Sequence, residues 1–207
     1  MEHSTVDPKA IRNIDGVDWS YGMRREMQEI VPGLFLGPYA AAMKSKKCDL
    51  QNRGITHIVC IRQNIEANFI RANFPDTFKY LILDIADTFT ENIIRFMSQF
   101  QQFVDGCLKE GGKVLIHGNG GISRSASLVV AYLMEKLSLS FKDALMFVQR
   151  RRFCINPNEA FFQQLTEYEA LCNARRSVLS GGTLPSGSRK RKFPSDPDDN
   201  ISDTAMT

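Results

Sequence analysis

The chain has 207 residues, 43% apolar and 24% charged, which excludes wholesale disorder and fibrous classes and leaves room for one domain with a buried core. Its 26 basic and 23 acidic residues leave a net charge of +3, too mild a surplus to indicate a nucleic-acid partner. Apolar runs such as 114–116 and 126–134 are far below membrane-spanning length, and the polar stretch 1–10 does not read as a signal peptide, so no membrane role is expected.

Residues 1–25 carry little pattern and read as a loosely held extension before a domain over 26–176. Glu29-Ile30-Val31 and Leu34-Phe35-Leu36 flank Pro32-Gly33, a hairpin signal that Gly37-Pro38 should stop. A β-branched run, Thr56 to Ile61, follows Gly54 and predicts a buried strand. A second strand is expected over Tyr80 to Ile85. Ile93, Phe96, Met97, Phe100, Phe103, Val104, Cys107 and Leu108 recur at helical spacing up to Gly111-Gly112. Lys113 to Ile116 predicts a central strand, and Ser125 to Leu137 a helix apolar on every side and therefore buried. Phe141, Ala144, Leu145 and Val148 mark another helix. Asn158, an N-cap type after Pro157, opens the last, with Phe161, Leu165, Tyr168 and Cys172 on its inner face. Strand–helix alternation with a helical second half predicts an α/β fold, a mostly parallel sheet flanked by helices.

From Ser177 to Thr207 the composition changes. Twelve of these 31 residues are Gly, Pro or Ser, too few apolar groups remain to offset ordering, and a disordered tail is expected. Its run Arg189-Lys190-Arg191-Lys192 has the form of a nuclear import signal, or else of a solvated charge run. The five cysteines are scattered without a CxxC pair, so neither a metal site nor a disulfide framework is expected, and no cofactor is implied.

The informative stretch is His117-Gly118-Asn119-Gly120-Gly121-Ile122-Ser123-Arg124-Ser125. It joins the central strand to the buried helix, where open α/β sheets bind ligands. Convergent backbone N–H groups from Gly118, Asn119, Gly120, Gly121, Ile122 and Ser123, with the positive end of a helix, make an anion site. Arg124 can clamp a phosphate through two parallel N–H bonds. There is no Gly-Lys-Ser/Thr end and no GxGxxG, so it is not a nucleotide loop of either common kind.

His117, Gly121, Ser123, Arg124 and Ser125 resemble the loop of the cysteine phosphatases, His-Cys-x5-Arg-Ser/Thr, in its dual-specificity form. Four further stretches fit the same family in order: Pro32 to Gly37, Gly54 to Ile58, Arg152 with Pro157-Asn158, and Phe161 to Glu169. Gly118 stands where the nucleophilic cysteine belongs, and Gly120 where alanine is usual. With Arg62 to Phe69 and Arg151 to Asn158, this resembles the pseudophosphatases of that family. The resemblance implies that Asp87, 31 residues before Gly118, stands in the place of the general acid, with Asp84 as its rival. It implies phosphorylated signalling proteins as partners, such as mitogen-activated protein kinases, together with F-box ubiquitin-ligase components, and a cytoplasmic and nuclear location.

Chemistry gives the substitution its meaning. The family's thiolate attacks phosphorus, and glycine has nothing with which to do so. In another hydrolytic site, losing the catalytic group leaves about 10³–10⁴-fold over water, against the up to ~10²¹-fold that phosphate monoester hydrolysis requires. A catalytically dead binding protein is therefore expected. Two alternatives stand beside it: a slow hydrolase using water or Ser123, and a scaffold whose loop binds no phosphate because its extra glycines are poorly preorganised. His117 reads as a hydrogen-bonded structural histidine, Ser125 as a polar residue of the first helical turn. Cys60 and Cys154 read as small buried hydrophobes. Arg150-Arg151-Arg152 reads as a basic cluster, open to an acidic partner or simply solvated.

Overall fold

A computed structural model of the protein describes residues 18–179. Residues 1–17 of the extension expected over 1–25, and residues 180–207 of the tail expected over 177–207, with Arg189–Lys192, lie outside the described residues. The elements are β1 (Gln28–Val31), β2 (Leu34–Pro38), α1 (Lys47–Asn52), β3 (Ile55–Arg62), β4 (Lys79–Asp84), α2 (Met97–Lys109), β5 (Lys113–Gly118), α3 (Arg124–Lys136), α4 (Phe141–Arg151) and α5 (Glu159–Leu179). The five strands form one sheet in the order β1-β2-β5-β3-β4, antiparallel at β1–β2 and parallel elsewhere.

Sequence dictates this arrangement locally. Gly33, at φ +82°, makes the tight turn of the β1–β2 hairpin. Val114, Leu115 and Ile116 are fully buried, as a parallel strand covered on both faces requires. On one face β3, β4 and β5 pack Val59, Ile61, Leu81, Leu83, Val114 and Ile116 against α2, α3, α4 and α5. On the other, Ile58 and Leu115 meet Leu50 of α1, Phe74 and Phe78. Helix α3 is buried on every side from Arg124 to Met134, matching its apolar sequence. Asn158 Oδ1 accepts the Phe161 N–H at 2.9 Å, the cap expected at the start of α5.

Several boundaries differ from the sequence reading. β2 runs on through Gly37-Pro38, pairing with His117 and Gly118, because a Cβ at Gly37 would sit 2.8 Å from that of Met27 and the missing side chain lets the strand pass. The amphipathic run from Ile93 opens with a 3-10 turn, Ile94–Phe96, before α2 begins. A 3-10 turn at Tyr21–Arg25 is tied to the domain through the Arg24 carbonyl, ahead of the boundary expected at residue 26. α5 continues to Leu179, three residues past the expected end of the domain.

Candidate functional site

The loop between β5 and α3 sorts its backbone by polarity. The carbonyls of Asn119, Gly120, Gly121, Ile122 and Ser123 are all taken: by the Tyr39 N–H (3.0 Å), by Arg152 Nη2 and Nε (3.0 and 2.9 Å), by the Asn156 N–H (2.9 Å) and by the Ser127 N–H (2.8 Å). The N–H groups of the same five residues donate to no acceptor among the described residues. Five free amides leading into the N-terminus of α3, with every carbonyl turned to other partners, are a cradle of the kind that suits an anion.

Arg152 holds that loop, and the sequence reading did not assign it this part. Its five N–H groups meet five acceptors: the carbonyls of Gly121, Gly120, Glu26 and Arg24, and Gln28 Oε1 at 2.5 Å. The side chain is fully buried. Arg151 is buried too, donating to the Phe147 carbonyl and lying over the Phe147 ring. The expected basic cluster is therefore reduced to Arg150, since the loop and Gln28 of β1 draw Arg152 inward and Arg151 folds back onto Phe147 of its own helix. Nor do the loop glycines leave it loose. Gly121 is required: its φ is +64° and a Cβ would lie 2.3 Å from the Gly37 carbonyl oxygen. Gly118 and Gly120 need no such conformation, and the loop's shape comes from its carbonyl partners.

Arg124 is buried, not a free clamp. Its Nη1 meets Glu66 Oε2 at 2.5 Å, its Nη2 meets Glu66 Oε1 at 3.1 Å, and Nη1 also donates to the Ile85 carbonyl at 3.1 Å. Glu66 lies in the Arg62 to Phe69 stretch, but its pairing with Arg124 is not legible in the sequence, because it sits in a 3-10 turn (Asn64–Glu66) 58 residues before Arg124 and only the fold joins them. The guanidinium beside it, with the Gln63 N–H, holds the Glu66 carboxyl below its ordinary range although burial acts the other way. Glu66 takes the outer edge of the planar fork. The remaining edge, Nε with the second Nη2 hydrogen, has only Asp87 Oδ2 near it among the described residues, at 3.8 Å. That edge is the one left to pair with a phosphate.

Asp87 is brought to the loop and Asp84 is not. Asp87 Oδ1 accepts from Ser123 Oγ at 2.8 Å and from Asn158 Nδ2 at 2.7 Å. Asp84, at the end of β4, instead accepts the Asn64 N–H at 2.9 Å. The Ser123 hydroxyl is also fixed from behind by the Asn158 N–H at 3.2 Å.

Around Gly118 there is room but no reactive group. A Cβ there would sit 3.4 Å from Ser125 Oγ and 3.6 Å from the Ile61 carbonyl, ordinary contacts. Ser125 Oγ is buried and unpartnered among the described residues, aligned beside the side chain that Gly118 lacks. His117 is fully buried. Its Nδ1 meets the Gly118 carbonyl at 3.3 Å, its Nε2 has no partner, and burial pulls its pKa down to about 4, so it is neutral at pH 7. Cys60 faces His117 across β3–β5, but burial pushes its thiol up to about 11, no substitute nucleophile. Cys107 and Cys172 are also buried, whereas Cys154, expected to be buried, is half-exposed beside the loop.

Residues 34–171 match the family model described as dual specificity phosphatase, catalytic domain. The chain is 65% identical over 170 residues to serine/threonine/tyrosine-interacting protein B of Xenopus laevis, covering 82% of this chain and 76% of that one. It is 62% identical over 164 residues to the Homo sapiens serine/threonine/tyrosine-interacting protein, covering 79% and 74%. The crystal structure of the human tyrosine phosphatase-like serine/threonine/tyrosine-interacting protein superposes with a TM-score of 0.70 at 65% identity, covering 71% of this chain and 97% of that one. The crystal structure of DUSP15 superposes at 0.63 with 31% identity, covering 78% and 99%.

Proposed function

Because the chain belongs to the dual specificity phosphatase family, we propose that it is a pseudophosphatase that captures phosphorylated proteins without cleaving them. The observation that carries this reading is the row of five unclaimed loop amides beside the open edge of Arg124, at a site whose attacking position is Gly118. The amides and Arg124 suit a dianionic phosphoryl group. No side chain at Gly118 can form the phosphoenzyme. Names of the close relatives agree with a protein that interacts with serine, threonine or tyrosine sites. In this reading its partners are phosphorylated signalling proteins such as mitogen-activated protein kinases, alongside F-box ubiquitin-ligase components, met in the cytoplasm and nucleus. Among the described residues no helix is long and apolar enough to cross a membrane.

The hydrolase alternative has one feature in its favour, the Ser123 hydroxyl on the Asp87 carboxylate. That carboxylate also holds Asn158, so the contact serves the loop's framework. Titration of phosphotyrosine and phosphothreonine peptides, followed by amide NMR, tests capture. Amides 119–123 should shift with phosphorylated peptides and not with their unphosphorylated forms. Equal response to both forms points to the phosphate-independent scaffold. Enzyme-like turnover of an aryl phosphate by the wild-type protein would restore the hydrolase.

A further inference from the structure

Beside the cradle lies a groove of about 510 Å³ lined by Trp19, Tyr21, Arg24, Ile122, Phe153, Cys154, Ile155 and Asn156. We propose that it receives an apolar side chain close in sequence to the captured phosphoresidue, so that partners are selected by an apolar neighbour as well as by phosphate. This rests on reading the cradle as a phosphoresidue site.

Continuity with the cradle argues for this occupant. Ile122 belongs to both: its N–H is one of the five free amides and the residue lines the groove. The Asn156 N–H on the Ile122 carbonyl, at 2.9 Å, fastens the far wall to the loop. A chain held at the cradle therefore lies next to the groove. An extended peptide advances about 3.3 Å per residue, which brings a side chain one to three positions from the phosphoresidue within reach. The lining suits an apolar guest. Tyr21 and Phe153 are 78% and 68% exposed, aromatic surface that gains from being covered, and Ile155 is buried beneath them. The volume lies within the range of small-ligand pockets. The single cation, Arg24, already gives its carbonyl to Arg152, which holds that wall in place.

Trp19 is the only tryptophan in the chain, so its emission reports on the groove. The full-length protein should be titrated with inorganic phosphate and with glycine-rich phosphotyrosine peptides carrying one Phe at each position from −3 to +3. At least one Phe position should bind about tenfold more tightly than the all-glycine peptide. That gain should vanish in Phe153→Ser and in Tyr21→Ala, with inorganic phosphate binding unchanged in both. The same peptide, and not phosphate, should slow iodoacetamide alkylation of Cys154. Equal affinity at every Phe position, with phosphate still bound, overturns the groove proposal and leaves the cradle reading intact. No binding of phosphate or any phosphopeptide overturns both. Phe selectivity that appears only after deletion of residues 2–16, or Trp19 emission that depends on protein concentration alone, assigns the groove to this chain's own N-terminal segment or to a second copy and overturns the proposal.

Discussion

Glu66 bridges both terminal nitrogens of Arg124 across 58 residues of sequence, with the two side chains only 13% and 9% exposed. The guanidinium is thus fixed before any phosphate arrives, and part of its charge is already balanced. Removing either partner alone strands the other's charge in a nearly dry site. We expect Arg124→Met to cost on the order of 3–5 kcal/mol in stability as well as phosphate binding. The double variant Glu66→Leu/Arg124→Met should recover most of the stability and none of the binding. Thermal melts with phosphopeptide titration separate the two effects. Full stability in the single variant would show the bridge to be energetically idle.

Restoring the nucleophile is the strictest test of the site. The cavity at Gly118 accepts a Cβ with contacts no closer than 3.4 Å, and Ser125 Oγ stands ready to donate to the new sulfur. Gly118→Cys should fold as the wild type and hydrolyse an aryl phosphate. Asp87→Ala should slow it, and Arg124→Lys should nearly abolish it. His117, neutral at pH 7, adds no charge, so thiol ionisation falls to the free amides, Ser125 and the α3 dipole. A folded but inert variant would mean that the cradle is too imprecise for in-line attack, since small displacements cost about 10²-fold.

The three loop glycines should respond differently to alanine. Gly121→Ala forces a side chain into left-handed backbone and onto the Gly37 carbonyl, 2.3 Å away. Strain and overpacking together should cost on the order of 3 kcal/mol, a fall of roughly 10 °C in Tm. Gly118→Ala has room and should change stability by less than about 0.5 kcal/mol. Gly120→Ala meets Ile122 Cδ1 at 3.1 Å and should fall between them. Equal melting temperatures for all three would contradict the loop geometry.

Arg152→Met removes five donors at once and leaves the Gly120, Gly121, Arg24 and Glu26 carbonyls without them. Each buried acceptor left unpaired costs about 1–3 kcal/mol, so this variant should be among the least stable single changes in the chain. Arg152→Lys keeps a charge but cannot reach five acceptors. It should fold with weakened phosphate binding and faster exchange of the Tyr39 and Asn156 amides, which donate to the loop's carbonyls. Unchanged exchange there would show that the loop holds its shape without Arg152.

The buried His117 sets a pH dependence whose sign is fixed. Its folded pKa, about 4, lies below its ordinary value of 6.5, so the unfolded chain takes up the proton first. The His117 contribution is nil above pH 6.5 and lowers stability as pH drops from 6.5 towards 4, by on the order of 3 kcal/mol over that span. Glu66, depressed, adds its own loss only as pH falls below its ordinary value of 4.5. Denaturant melts of wild type and His117→Asn from pH 7 to 4.5 check this. The variant's curve should be flatter, and parallel curves would mean that His117 titrates normally.

Much of this protein could be read along the chain. The helical period from Phe100 to Leu108, the buried run at Val114–Ile116 and the all-apolar α3 each carry their structure in local spacing. So does the loop chemistry, because the absence of a nucleophile at Gly118 is a property of one residue. Gly121 was legible as a turn glycine, though its need to pass the Gly37 carbonyl was not. What the chain alone left open is which charges meet. Arg124 reads as a free clamp until β3 and its following turn bring Glu66 to it, and Arg152 reads as a surface cation until β1 and the loop surround it. An arginine looks the same in sequence whether it faces water or five carbonyl and amide oxygens. Periodicity fixes which face of an element is apolar, but the partner of a polar group depends on strand order and on contacts 58 to 128 residues apart, which only the closed sheet brings together.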